Sequence, residues 1–206
     1  MKRILIATGN SGKVREMREV IGDLPAEFIT LADLGFTNNV EETGTTYEEN
    51  AFQKADFFFQ KTGFPVIAED SGLEVSALSG ELGVQTRRWG AGEQASDAEW
   101  MEHFLKRMEG ENDRSATFFC TAVFVAEGNI RSVFTGETKG ILAHSPQCLP
   151  PKGIPVSALF IPEGKTKVYA TMSPEEKNAV SHRGKAMQAL KQFLEQFLST
   201  HQKIAL

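Results

Sequence analysis

The chain has 206 residues, of which 41% are hydrophobic and 24% charged, and its formal net charge is -5. This balance is typical of a globular protein with a real core, arranged as one large domain or two closely packed lobes. The negative charge argues against broad attraction to nucleic acid or an anionic membrane. A polyanionic ligand would therefore need a local basic pocket or a metal ion.

Neither the N-terminus nor the cysteines indicate export. The apolar run at 4–7 is too short for the hydrophobic region of a signal peptide. No apolar stretch approaches the roughly 20 residues of a membrane helix. Cys120 and Cys148 lack the spacing of metal ligands. We therefore expect a reducing, cytoplasmic location, with neither nucleic acid nor membrane as a partner.

The first third of the chain alternates predicted strands and helices. Apolar runs predict buried strands at 2–7, 28–31 and 65–68. Apolar periodicity predicts helices at 13–21 and 45–61, and the second of these has acidic residues in its first turn, where the helix dipole favours them. This alternation of strand and helix is typical of an α/β fold.

The remainder of the chain adds a hairpin and three helices. The capping box at 96–99 predicts a helix that runs to about residue 109. The Phe-, Val- and Thr-rich segments 117–126 and 130–138 flank a Glu-Gly-Asn turn and predict a β-hairpin. A further strand is predicted at 157–161, and a helix begins at Ser173. A last amphipathic helix has an apolar face formed by Ala186, Leu190, Phe193, Leu194 and Phe197. The fold class is α/β with a mixed sheet.

The loop Thr8-Gly9-Asn10-Ser11-Gly12-Lys13 leads from a predicted buried strand into a helix. Backbone N–H groups and the positive end of the helix dipole converge at such a point, which suits a phosphate group. The glycines allow close approach, and Lys13 adds a positive charge. The pattern is neither a Walker A sequence nor GxGxxG. An ordinary strand–helix turn, with glycine for its geometry, is the alternative.

Carboxylates gather in two further segments, Glu41-Glu42 in a loop and Glu69-Asp70 after an apolar strand. Open α/β sheets bind ligands at the carboxyl ends of strands. One or two carboxylates there could hold Mg²⁺ and activate a water molecule. Acidic pairs in loops are more often solvated surface, which is the alternative for Glu42. Asp70 differs because a carboxylate between a buried strand and Ser71-Gly72 is costly unless something pairs with it.

Lys177, His182 and Arg183 lie within seven residues near the start of the C-terminal helices. An arginine offers a planar fork for phosphate, and a histidine can donate or stack, so the group could bind a triphosphate or a base. A solvated helix face is the alternative explanation of the same residues.

In this order and spacing, these segments resemble the inosine/xanthosine triphosphate pyrophosphatase family over nearly the full chain. The motifs are Thr8-Gly9-Asn10 with Gly12-Lys13, Glu41-Glu42-Thr43-Gly44-Thr45, Glu49-Asn50-Ala51, Asp70-Ser71-Gly72-Leu73 and Ser181-His182-Arg183-Gly184. The resemblance implies an elongated mixed sheet with two lobes around a central nucleotide cleft, and usually a homodimer. We expect residues 1–200 to form this single unit and residues 201–206 to be a C-terminal tail.

The resemblance also implies an activity. Water would attack the α-phosphorus of ITP, dITP or XTP in the presence of Mg²⁺, giving the monophosphate and pyrophosphate and removing deaminated purine nucleotides. Asp70 would be the general base. The implied metal ligands are Glu41, Glu69 and Asp70. The implied substrate-binding residues are Thr8, Gly9, Asn10, Ser11, Gly12, Lys13, Lys54, Ser71, Lys177, His182 and Arg183.

The sequence departs from this family at two places. Glu69 stands where the family commonly has a first aspartate, which lengthens the acidic arm by one methylene. Segment 152–158 replaces an aromatic-Gly-aromatic-Asp-Pro stretch that helps to bind the base: Pro155 takes the aromatic position and Val156 that of the aspartate. Two alternatives follow. The same reaction could act on a different modified or pyrimidine nucleotide, or the chain could bind nucleotides without catalysis.

Overall fold

The computed structural model describes residues 2–37, 40–92 and 94–202, apart from the side chains of 201 and 202. The strands are β1 (Lys2–Ile6), β2 (Ala26–Thr30), β3 (Val66–Val75), β4 (Ser115–Ala126), β5 (Ile130–Leu142) and β6 (Phe160–Pro162). The helices are α1 (Ser11–Ile21), α2 (Tyr47–Thr62), α3 (Asp97–Arg107), α4 (Pro174–Val180) and α5 (His182–Gln202). Residues 203–206, most of the expected tail, lie outside the described residues, and α5 runs through 201–202.

The six strands form one mixed sheet in the order β2-β1-β3-β4-β5-β6. Strand β1 is parallel to both β2 and β3, whereas all other pairs are antiparallel. The predicted α/β class with a mixed sheet is confirmed. The pairing of β1 with β3 covers only Leu5 with Val66 and Ile6 with Ile67. Beyond Ile67, β3 continues its ladder with β4, and on its other edge only an isolated bridge joins Leu73 to Gly83 among the described residues. The stretch between these two contacts borders a cleft.

Strand β3 is much longer than the predicted strand at 65–68. It is paired with β4 from Val66 opposite Val125 to Val75 opposite Ala116. Because this ladder satisfies the backbone of the polar residues as well, the strand does not end where the apolar run ends. Asp70 consequently lies within a strand, opposite Thr121, and not in the loop after one.

Apolar side chains alternate between the two faces of the sheet, as the strand period requires. Ile4 and Ile6 pack on the side covered by α1 and α5, whereas Leu5 packs on the opposite side with α2. A separate core lies at the other end of the long β4–β5 hairpin, where Trp100 and Phe104 of α3 pack against the sheet. The cleft lies between these packed regions.

The predicted strand at 157–161 is wrong at its start. Residues Pro155–Ala158 form a 3₁₀ turn, and only Phe160–Pro162 pair with β5. The turn is favoured because Pro155 has no N–H for a ladder and the Ser157 hydroxyl donates to the carbonyl of Ile154 at 2.6 Å.

Helix starts agree with the sequence. The capping boxes at Ser96 and Ser173 are both formed, with the side chains of Glu99 and Glu176 accepting from the backbone of the cap residue. Within the part of the chain that the structure describes, every helix is too short or too polar to cross a membrane.

Candidate active site

A cavity of about 410 Å³ lies where β1 ends beside β3. Its walls include ten of the residues expected at the site: Thr8, Gly9, Asn10, Lys13, Lys54, Asp70, Ser71, Lys177, His182 and Arg183. A wider depression of about 1020 Å³ is lined by Ser115, Lys139 and Glu163 among others, and it contains none of the expected residues. The tertiary structure therefore gathers segments that are up to 175 residues apart into the smaller cavity.

Four expected residues do not line this cavity. Ser11 is exposed on the first turn of α1, and Gly12 is buried under the carbonyl of Lys152. Glu41 is exposed, and its neighbour Glu42 lies in the cavity wall instead. The Glu69 side chain is completely buried behind the wall, so it is not directed at a ligand in the cavity.

Asn10, the N-cap of α1, binds two backbone N–H groups of loop 8–13. Its side-chain oxygen accepts from the N–H of Gly12 at 2.9 Å and of Lys13 at 3.1 Å. The Lys13 ammonium in turn lies 2.6 Å from a carboxylate oxygen of Glu69. These contacts order the loop and hold the Lys13 ammonium against the buried Glu69.

Alternating charges on this side of the cavity form one chain: Lys13, Glu69, Arg183, Glu16 and Lys177. Arg183 lies 3.5 Å from Glu69 and donates to Glu16, which also accepts from Lys177. Three cations share two carboxylates, which leaves one net positive charge on this side of the cavity. A buried network of this kind is well suited to receive an anion.

The carboxylates of this network remain charged. Burial by itself raises the pKa of Glu69, but the charges of Lys13 and Arg183 outweigh it and hold the pKa below its ordinary range. Burial likewise opposes ionisation of Glu16, and Arg183 and Lys177 again lower its pKa. Glu69 is therefore a counter-ion and not a proton donor.

Asp70 has different surroundings. One oxygen accepts from the Asn50 side chain at 3.0 Å and the other from the backbone N–H of Ser71 at 2.9 Å. Burial raises the pKa of Asp70 above its ordinary value, although Lys54 opposes the shift. A carboxylate whose basicity is increased by burial, and which faces a cavity, is suited to accept a proton.

Lys54 joins Asp70 to Glu42. Its ammonium lies 3.9 Å from Asp70 and donates to Glu42, whose other oxygen accepts from Arg88 at 3.0 Å. Two carboxylates thus converge on one cation, a donor set that also fits Mg²⁺, which needs only one or two carboxylates besides water and phosphate oxygens. The described residues contain no group of three or more acidic, His or Cys ligands.

His182 is another residue of the cavity wall. Its imidazole stacks on Phe118 with centroids 4.6 Å apart, and burial, reinforced by Arg183, lowers its pKa well below the ordinary value. The ring is therefore neutral. The start of α5 can approach β5 this closely because residue 136 is glycine: a Cβ there would lie 2.1 Å from the His182 carbonyl oxygen.

Segment 153–157 also lines the cavity. Gly153 is held at both of its backbone polar atoms: its carbonyl accepts from Asn10 at 2.7 Å and its N–H donates to Asp97 at 2.5 Å. Glycine is required here, since φ is +79° and a Cβ would lie 2.4 Å from the Asn10 oxygen. The segment contributes backbone and small or apolar side chains but no carboxylate.

The sequence assigned no role to Glu16, Asn50 or Asp97, and for Glu42 it left solvated surface and a metal contact as alternatives. The sequence did offer a clue to Glu16: it lies three residues after Lys13, next to Met17, on the buried side of an amphipathic helix. A carboxylate on a buried helix face indicates a buried partner of opposite charge. Asn50 similarly occupies the buried face of α2. For Asp97 the sequence shows only a helix start.

Comparison with known proteins finds relatives that match almost the whole chain. A "dITP/XTP pyrophosphatase" of Bacillus licheniformis is 37% identical over 198 residues, covering 95% of this chain and all of the relative. One of Geobacter sulfurreducens is 39% identical, covering 94% and 97%. The structure of a HAM1 protein from Coxiella burnetii superposes with a TM-score of 0.79 at 35% identity, covering 95% and 100%. Residues 4–193 match the Ham1 family along almost the whole chain, so this protein belongs to the Ham1 family.

Proposed function

We propose that the protein is a nucleoside triphosphate pyrophosphatase that hydrolyses ITP, dITP and XTP to the monophosphate and pyrophosphate. The observation that carries this proposal is the position of Asp70, a buried and basic carboxylate that shares one cavity with Lys13, Lys54 and Ser71. The names of the relatives support the same activity.

In the proposed reaction, Asp70 accepts the proton of the attacking water while its two oxygens are kept in place by Asn50 and the Ser71 N–H. Water attacks the α-phosphorus, and the bond to the bridging oxygen breaks to release pyrophosphate. Lys13 and Lys54 oppose the negative charge that builds on the leaving group. Water is the nucleophile, so no serine or cysteine needs activation.

Asp70 and Glu42 are the residues that we propose to hold Mg²⁺. When bound, the ion supplies Lewis-acid stabilisation of phosphate oxygens and lowers the pKa of a water ligand. Glu42 replaces Glu41 in this assignment because its side chain lines the cavity beside Lys54, whereas that of Glu41 is exposed. Glu69 is assigned to the buried ion network instead of the metal.

We further propose a cytoplasmic location and a homodimer. Both rest on the family resemblance and on the composition, and the overall negative charge supports the absence of a nucleic-acid partner.

The products of the reaction test the proposal directly. Incubation with ITP and Mg²⁺ is expected to give inosine monophosphate and pyrophosphate in equal amounts, measured by ion chromatography. Inosine diphosphate with orthophosphate would place the cleavage at the γ-phosphorus and contradict the assignment. Tight binding of ITP by calorimetry without any product over hours would favour a protein that binds nucleotides without catalysis.

The metal assignment is tested by a matched pair of neighbours. Glu42→Gln is expected to raise the Mg²⁺ concentration for half-maximal activity by about tenfold or more, the scale on which metal sites respond to loss of a supporting group. Glu41→Gln makes the same chemical change on an exposed side chain and is expected to leave that concentration unchanged. If Glu41→Gln raised this concentration more than Glu42→Gln did, Glu41 and not Glu42 would be the metal ligand.

A further inference from the structure

Loop 8–13 is tied to helix α3 through Gly153, although the three come from distant parts of the chain. Asn10 of the loop donates from its side-chain nitrogen to the carbonyl of Gly153 at 2.7 Å. Asp97, the first residue of α3, accepts from the N–H of the same glycine at 2.5 Å. One residue of backbone therefore connects the side chain of Asp97 to that of Asn10, and all three residues line the cavity.

Asn10 uses both ends of its side-chain amide in this arrangement. The oxygen accepts from the backbone N–H groups of Gly12 and Lys13, and the nitrogen donates to Gly153. An amide has donors only on its nitrogen and acceptor sites only on its oxygen. The carbonyl of Gly153 therefore fixes which way the Asn10 amide points, and a shift of Gly153 would be passed on to the loop.

The backbone around Gly153 also rests directly against the loop. A Cβ on Gly12 would lie 2.9 Å from the carbonyl oxygen of Lys152 and 3.3 Å from the Ile154 side chain. The shape of the loop consequently depends on where residues 152–154 lie. Residues 143–154 belong to neither a helix nor a strand, so the position of Gly153 depends on side-chain anchors.

Asp97 provides this anchor from a rigid element. Helix α3 begins with the capping box at Ser96, and its residues Trp100 and Phe104 are buried in the core. The Trp100 indole also donates to the carbonyl of Thr86 at 2.8 Å. A side chain at the start of such a helix is a fixed reference point, which is what the support of a binding loop requires.

We infer that Asp97 is a positioning residue for the phosphates of the substrate: through Gly153 and Asn10 it holds loop 8–13 in the shape that receives them. The inference rests on the proposed function, which places the phosphates at this loop. Because Asp97 acts on the loop, its loss weakens binding of any polyphosphate, whether or not the ligand has a base. Inorganic tripolyphosphate, which has none, is therefore the probe.

Asp97→Ala removes the acceptor for Gly153, whereas Asp97→Asn removes the charge and keeps an oxygen that can accept. The affinity for tripolyphosphate, measured by calorimetry without divalent cations, is expected to fall about tenfold or more in Asp97→Ala, the scale of one hydrogen bond to a charged group. Asp97→Asn is expected to stay close to wild type. Asp113→Ala is the matched control, since Asp113 accepts from the N–H of Ser115 at 2.9 Å away from the cavity, and it leaves the affinity unchanged.

A double variant tests whether Asp97 acts through Asn10. Asn10→Ala removes the link to Gly153, so adding Asp97→Ala to it is expected to weaken tripolyphosphate binding no further. Additive losses would show that Asp97 acts by another route and would overturn the inference. Thermal unfolding of each variant verifies that it is folded.

Three other results would overturn the inference. Equal losses in Asp97→Asn and Asp97→Ala would assign the effect to charge and not to anchoring. A loss of affinity for ITP without a loss for tripolyphosphate would place the action of Asp97 on the base. Hydrolysis of ITP by a wild-type protein that binds no tripolyphosphate would remove the phosphates from loop 8–13 while the proposed function stands. Conversely, the expected tripolyphosphate affinities without release of pyrophosphate from ITP would support the positioning role and contradict the proposed function.

Discussion

Replacing Asp70 by asparagine is expected to reduce the turnover of ITP by about 100-fold or more, the scale of general-base assistance. Both Asp70 oxygens accept hydrogen bonds, from Asn50 at 3.0 Å and from the Ser71 N–H at 2.9 Å. An asparagine amide cannot accept with both ends, and it cannot take a proton from water. The variant therefore loses the base and also its orientation.

The control for this variant is Asp56→Asn, the same chemical change at a residue of α2 that lies outside the cavity and forms a half-exposed ion pair with Arg131 of β5. It is expected to retain normal turnover. Rates of pyrophosphate release at saturating ITP and Mg²⁺ would be compared, with thermal unfolding to verify that both variants are folded. Near-normal turnover of Asp70→Asn would show that Asp70 is not the general base.

Glu69→Gln is expected to be the most destabilising single change considered, by about 3–5 kcal/mol, because it leaves buried charges without their partner. Its carboxylate is 2.6 Å from Lys13 and 3.5 Å from Arg183, and its side chain is completely buried. For a chain of this size the loss corresponds to a fall in Tm of about 10 °C. Glu27→Gln, which breaks only the exposed pair with Arg3, serves as the control and is expected to change Tm little.

The same variant gives a pH dependence with a defined sign. Lys13 and Arg183 outweigh burial, so the pKa of Glu69 is lower in the folded protein than its ordinary value of 4.5. As the pH falls through about 4.5, the unfolded chain takes up a proton that the folded protein does not, and stability is lost. The Tm difference between wild type and Glu69→Gln should therefore be largest near neutral pH and shrink below pH 4.5. A constant difference would show that the Glu69 charge contributes nothing.

Local signals in the sequence were sufficient for most elements. The capping boxes at Ser96 and Ser173 act within four residues, and the hairpin is indicated by two Phe-, Val- and Thr-rich segments around a short turn, so both are formed as predicted. The end of β3 could not be predicted in this way. Whether β3 continues past Ala68 depends on the backbone of β4, nearly 50 residues away, and not on the polarity of residues 69–72.

The sequence alone determined which kinds of groups the site would use: a glycine-rich loop with Lys13, acidic residues around Asp70 and a basic C-terminal set. Only the tertiary structure decided what each carboxylate faces, because neighbouring residues on a strand or in an extended loop point in different directions. Glu69 is thus buried between Lys13 and Arg183, whereas Asp70 lines the cavity. Similarly, Glu42 lines the cavity, whereas Glu41 is exposed to solvent. The spacing of residues along the chain does not show which carboxylate lines the cavity, because that depends on how distant elements pack together.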